Sequence, residues 1–520
     1  MHVMGLDRLL HLASDLAVIR IALTIVGLGL AAMAVILLGN GLLQKKRLKT
    51  PDAVAILVIL FLGGGLSAFA HFGIQPPKQA QNSPIFPDIP PPPEEVNEAA
   101  LAQLKTASLA SDRPSLASGQ DWPQWMGPNR NGVSPCTGIN VDWKREPPAL
   151  LWKHPVGRGF SSLAVANGLV YTLDFDGKGQ ERVWCLDAQD GRDIWCYQYP
   201  ADSKTGGYAG PRATPTVHDG KVYTVGADGL LLCLDANPAD GHPKVIWQHD
   251  LMAEFKANRP GHGVACSPLI EGNLVVVQPG GKDASIVAFD RETGSVAWRA
   301  YSDPAGYSSP VAATAAGIRQ IICFTGRGMA GVTAAEGKPL WHRDWPTGFD
   351  VNAATPVVAG DYVFLSSGYG SGCALYHLVA SQDGVKPEAV YVKHGKLMRN
   401  HHMTSILRDG YLYGCDDNGR NSLKCVNLRT AQEQWDSEKI GKHCLIYADG
   451  HLIALNEEGT LVLVEANPKE FHEDSRLEGV LRGPECWALP AMAAGRLYLR
   501  DHHNIVCLDL REKRRAAQKR

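Results

Sequence analysis

SPLIEGNLVVV at 267–277 and IVAFDRETGSVAW at 286–298 decide the fold. The first stretch is a short apolar strand, a Gly-Asn turn and a β-branched strand. The second is a strand ending in Asp290, a turn carrying Gly294, and a strand carrying Trp298. Together they spell four short antiparallel strands joined by tight turns.

The same spelling returns on both sides. TPTVHDGKVYTV at 214–225 leads to LLLCLDANPADG at 230–241 and Trp247, and LAVANGLVYTL at 163–173 leads to VWCLDAQDGRDIW at 183–195. Further copies begin near 309, 355, 404, 445 and 489. That makes eight units, each long enough for four strands. Radial closure of such units buries nearly every sheet face and leaves only short edges. The pattern therefore predicts an all-β, eight-bladed β-propeller with four-stranded antiparallel blades over 149–510.

The repeated residues have structural readings. Asp187, Asp235, Asp290 and Asp509 end strands, where a carboxylate can cap the next turn. Trp152, Trp195, Trp247, Trp298, Trp341 and Trp435 recur in the fourth strand, so inter-blade packing is their expected role. The eighth unit lacks a fourth strand, and ALLWKHPV at 149–156 has the character to supply it. The twelve cysteines all follow residue 135 in strand-like contexts, with no CxxC or CxxCH motif. They read as small buried hydrophobes, with disulfides left open.

The sequence before the repeats has a different composition. An N-terminal segment, 1–20, precedes IALTIVGLGLAAMAVILLG at 21–39, which carries no charge. Nineteen helical residues span about 29 Å, close to the hydrocarbon thickness of a bilayer. Spans are expected at 21–43 and 53–74, joined by a basic loop at 44–52 containing Lys45, Lys46, Arg47 and Lys49. The positive charges place that loop in the cytoplasm. The resulting expectation is a two-helix transmembrane hairpin in the inner membrane, with the propeller on the periplasmic or extracytoplasmic side. A Pro-rich linker follows at 75–120, then a strap at 121–148 whose Trp122 and Trp125 are expected to pin it to the domain. A basic tail occupies 511–520.

A net charge of −2 with no basic excess excludes bulk electrostatic binding of nucleic acid. The segments leading into the innermost strands converge on one rim of the channel. They hold Phe160, Arg212, His262, Tyr307, Asn352, His401, His402, His443 and Trp487, with Arg399 just upstream of the histidine pair. Arginines there can receive a carboxylate or phosphate, and histidines can act as bases or ligands. No conventional metal spacing appears, and no residue receives a catalytic role.

AFDRETGSVAW at 288–298 resembles the tryptophan-docking repeat of the quinoprotein-type, pyrroloquinoline quinone-like propellers. CLDAQDGRDIW at 185–195 is a second copy, and the strap WPQWMGPNRNG resembles that of membrane-anchored planctomycete members, with Met126 where Arg is commoner. The family holds dehydrogenases that use the quinone with calcium, and an outer-membrane assembly lipoprotein that binds partners and no cofactor. The resemblance implies either pyrroloquinoline quinone with calcium or an extracytoplasmic protein partner. The absence of an adjacent cysteine pair, a recognisable calcium set and a haem motif turns the expectation toward a membrane-anchored scaffold for protein or small-molecule ligands rather than an enzyme. The alternative is a quinone-dependent oxidoreductase of an alcohol or sugar, with its site at the channel mouth.

Overall fold

The computed structural model describes residues 119–512 except 240, 383 and 418. They form eight four-stranded antiparallel sheets. Blades 1 to 7 each take four consecutive strands, from Ala164–Ala166 in blade 1 to Glu473–Leu477 in blade 7. Blade 8 takes Ala491–Ala493, Arg496–Arg500 and Asn504–Asp509, and its outer strand is Ala149–Pro155 from the other end of the domain. The first strand of the propeller thus closes the ring on the last blade.

Packing between blades explains the repeated tryptophans. In every blade a β-bulge interrupts the pairing of the third and fourth strands. The residue beside that bulge points at the next blade. Trp152 Nε1 donates to Ala188 O of blade 1, Trp195 Nε1 to Ala236 O of blade 2, and Trp247 Nε1 to Arg291 O of blade 3, at 3.0–3.2 Å. Trp435 Nε1 reaches Asn467 O of blade 7 at 2.8 Å. Trp341 differs, donating to Gln320 Oε1 of its own blade.

The residue opposite each tryptophan is small. Cys185, Cys233, Cys425 and Cys507 face Trp195, Trp247, Trp435 and Trp152, while Ala288 and Gly331 face Trp298 and Trp341. Where the opposite residue is leucine, the tryptophan is replaced. Leu375 faces Tyr391, whose hydroxyl donates to Leu428 O of blade 6, and Leu463 faces Ser475. All twelve cysteines are free, and all but Cys196 are buried. They act as compact apolar groups.

The strap seals one end of the channel. Trp122 exchanges backbone bonds with Val165, Val217 N donates to Pro123 O, and Trp125 Nε1 donates to Thr355 Oγ1. Arg130 bonds Ser267 O and Pro268 O, and Gly132 and Ser134 bracket Tyr447. Above it, hydroxyls tie neighbouring inner segments together: Leu489 N to Ser162 Oγ, Thr214 N to Ser267 Oγ, Ser267 N to Ser309 Oγ, and Thr355 N to Thr404 Oγ1. Residues farther upstream of the inner strands gather at one rim, the channel mouth.

The expected membrane hairpin is corrected. Among the described residues no helix is long and apolar enough to cross a membrane, and the one α-helix is Leu251–Phe255. The expected spans at 21–43 and 53–74 lie outside the described residues. The membrane anchor, the inner-membrane placement and the periplasmic orientation find no support and are withdrawn.

Candidate site at the channel mouth

Seven of the residues expected at the rim come together, six of them as rings and the seventh, Arg212, beside them. Trp487 stands at the centre, with Phe160 stacked on it at 5.3 Å between ring centroids, Tyr208 at 5.3 Å and His402 at 4.8 Å. Tyr208 leads to His262 at 6.3 Å and His262 to Tyr307 at 5.8 Å, while His401 lies 4.9 Å from His402. Segments of blades 1, 2, 3, 4, 6 and 8 therefore build one aromatic crown.

Two cations border it. The Arg212 guanidinium lies 5.1 Å over the Phe160 ring, and Lys442 Nζ lies 4.8 Å over Trp487. Arg212 donates to Thr205 Oγ1, Gly210 O and Tyr208 O, all neutral acceptors. Burial without a carboxylate partner lowers its pKa to about 10. Burial, with help from Lys442, lowers His401 to about 4 and His402 well below the ordinary histidine range. Burial also lowers His262. At neutral pH these imidazoles are uncharged, and the fixed positive charge belongs to Arg212 and Lys442.

The mouth also holds carboxylates. Glu457 Oε2 accepts from Trp487 Nε1 at 3.0 Å and lies 4.0 Å from Lys442 Nζ. His502 Nδ1 accepts from Gly159 N at 3.3 Å, which leaves the ring proton on Nε2, and Nε2 faces Glu485 Oε2 at 3.2 Å. Glu485 adopts a φ of +79°, strained for a residue with a side chain. Asp417 Oδ2 lies 3.5 Å from His401 Nδ1.

Three expected rim residues serve elsewhere. Arg399 forms a two-pronged pair with Asp416, which raises its pKa. Asn352 is buried and bonds Thr325 O, Trp345 O and Ser367. His443 is 1% exposed, with Nδ1 donating to Gly441 O. Tyr208, Lys442, Glu457 and Glu485 were missed as site residues because they lie off the repeat register, and His502 was valued less because it lies in a later blade turn. Lys442 had a signal, since it directly precedes His443 at the start of the strand His443–Ala448.

The family described as outer membrane protein assembly factor BamB matches residues 180–437. Quinohemoprotein alcohol dehydrogenase ADH-IIG of Pseudomonas putida is 29% identical over 225 residues, covering 39% of this chain and 30% of that protein. Quinohemoprotein alcohol dehydrogenase of Comamonas testosteroni is 30% identical over 136 residues, 25% of this chain and 18% of that protein. The Comamonas crystal structure superposes with a TM-score of 0.55 at 15% identity, over 80% of this chain and 85% of that one. Over these matched residues the chain resembles the PQQ-like, BamB-like eight-bladed propellers.

Nothing in these matches ties this PQQ-like propeller to planctomycetes. It spans less than a third of the length of the curated relatives it matches. The expectation against an enzyme is corrected here, because these relatives are dehydrogenases. The membrane-anchored scaffold is likewise set aside as the leading reading of the PQQ-like propeller.

Proposed function

We propose that the chain is a quinone-dependent oxidoreductase of an alcohol or sugar, with its site at the channel mouth. The observation that carries the reading is Arg212: a half-buried guanidinium with neutral acceptors only, set beside an aromatic crown. Pyrroloquinoline quinone is flat and carries several carboxylates. The residues present fit that shape and charge: Phe160, Tyr208 and Trp487 offer ring contacts, while Arg212 and Lys442 would hold carboxylates. Among the described residues no group of three or more His, Cys, Asp or Glu side chains stands ready to hold a metal ion.

When bound, the quinone supplies a two-electron acceptor for oxidising a hydroxyl-bearing carbon to a carbonyl. The chain's own residues supply position and a proton acceptor. His502 is fixed by Gly159 N and holds Glu485 by one oxygen, so this carboxylate is the candidate to take the hydroxyl proton.

The test is dye-coupled oxidation of primary alcohols and aldoses by the purified chain reconstituted with the quinone. Turnover that is lost in Glu485→Gln and in Trp487→Ala supports the proposal. No turnover with any alcohol or sugar, despite retained quinone, contradicts it.

A further inference from the structure

We infer that the channel mouth binds a flat aromatic carboxylate without a divalent cation, Arg212 and Lys442 taking the place of the metal. The inference rests on the reading of the mouth as a quinone site and names how that site recognises its ligand.

Three observations carry it. First, the ionic partners of Arg212 are missing where those of other arginines are present. Arg182, Arg399 and Arg511 each hold a carboxylate by two nitrogens, on Asp174, Asp416 and Asp509. Arg212 has no carboxylate within ion-pair distance among the described residues, yet it borders the aromatic crown. Arg130 and Arg500 also bond neutral groups, but they are 5% and 0% exposed and act as internal bolts.

Second, the mouth's carboxylates are committed. Glu457 faces Trp487 Nε1 and Lys442, and Glu485 faces His502. A cation bridging ligand and protein needs several oxygen donors at 2.3–2.6 Å, about six to eight for calcium. Among the described residues no three His, Cys, Asp or Glu side chains gather as the charged part of such a set.

Third, both cations sit over rings. Arg212 lies over Phe160 and Lys442 over Trp487, and Phe160 and Trp487 stack at 5.3 Å. Charge and apolar surface are therefore presented together, which suits a planar ring bearing carboxylates at its edge and disfavours a compact anion such as phosphate.

The test is equilibrium titration of the full chain with pyrroloquinoline quinone, followed by tryptophan fluorescence, in EDTA and in calcium. The expected dissociation constants agree within about twofold, since each lost charged bond, not a lost metal, governs affinity. Arg212→Ala should weaken binding by about tenfold or more, and Lys442→Met by a smaller factor. If Arg212→Ala fails to fold, Lys442→Met and rising salt provide the same readout, each weakening binding. Binding that appears only with calcium overturns the inference and leaves the quinone reading standing. No binding in either condition overturns both. Equal competition by inorganic phosphate overturns the aromatic requirement.

Discussion

The backbone N–H of Trp143 donates to Ser475 Oγ at 3.0 Å, and Ser475 Oγ donates onward to Val141 O. Ser475 occupies the bulge position that holds tryptophan in the neighbouring blade 6. The strap thus lends blade 7 an indole. Trp143 is 3% exposed, and its Nε1 donates to Asn140 O while Asn140 N donates to Leu510 O of blade 8. The link that other blades make directly here passes through one extra residue. Trp143→Ala is expected to destabilise the propeller by about 3–5 kcal/mol in urea unfolding, and Ser475→Ala by about 1 kcal/mol. Equal effects would mean that Trp143 adds no packing.

Ring closure makes a second prediction. Gly191 and Gly220 share a left-handed backbone, with φ of +73° and +71°. A Cβ at Gly191 would meet the Trp152 ring at 2.5 Å, whereas one at Gly220 meets nothing within 4 Å. Both alanine variants carry the same backbone strain, so their difference isolates the contact that closes blade 8 on blade 1. Gly191→Ala should lower stability by about 1–3 kcal/mol more than Gly220→Ala. Similar thermal midpoints would remove the closure role of Trp152.

Acid sensitivity follows from His443. Burial pushes its imidazole down to about 4, against an unfolded value near 6.5. Between those values the unfolded chain binds more protons, so this contribution is complete above the unfolded value and falls as pH drops toward the folded one. The slope for one such group approaches about 1.4 kcal/mol per pH unit. His443→Asn keeps a donor for Gly441 O and removes the titration. Urea midpoints measured between about pH 7.5 and about pH 5 should fall less steeply in this variant. An unchanged slope would contradict the assignment.

The propeller was legible because its determinants repeat. A strand-ending Asp, a turn glycine and a tryptophan recur in register, and Asp187, Asp235, Asp290 and Asp509 do cap the following backbone amides. The closing strand was legible from Trp152. Tyr391 and Ser475 were not legible as replacements, because their meaning depends on Leu375 and Leu463 across the sheet. At the mouth the register located Phe160, Arg212, His262, Tyr307, His401, His402 and Trp487. It could not foresee that Arg399 would turn to Asp416, nor that Tyr208 would arrive from a loop four residues upstream of Arg212. Hydrophobic length alone carried the membrane hairpin, and the described residues contain nothing that answers to it.

The proton acceptor gives a fourth prediction. If His502 orients Glu485, His502→Gln should lower kcat by about ten- to a hundredfold with little change in quinone affinity, within the range for a displaced general base. Glu485→Gln should lower it further. Weakened quinone binding with unchanged kcat in His502→Gln would make this histidine part of the binding wall instead.

The most direct measurement is a crystal structure of the full chain with pyrroloquinoline quinone. The account predicts planar density against Trp487, with carboxylates on the Arg212 and Lys442 side. Density elsewhere on the propeller, or an empty mouth at saturating quinone, would contradict it.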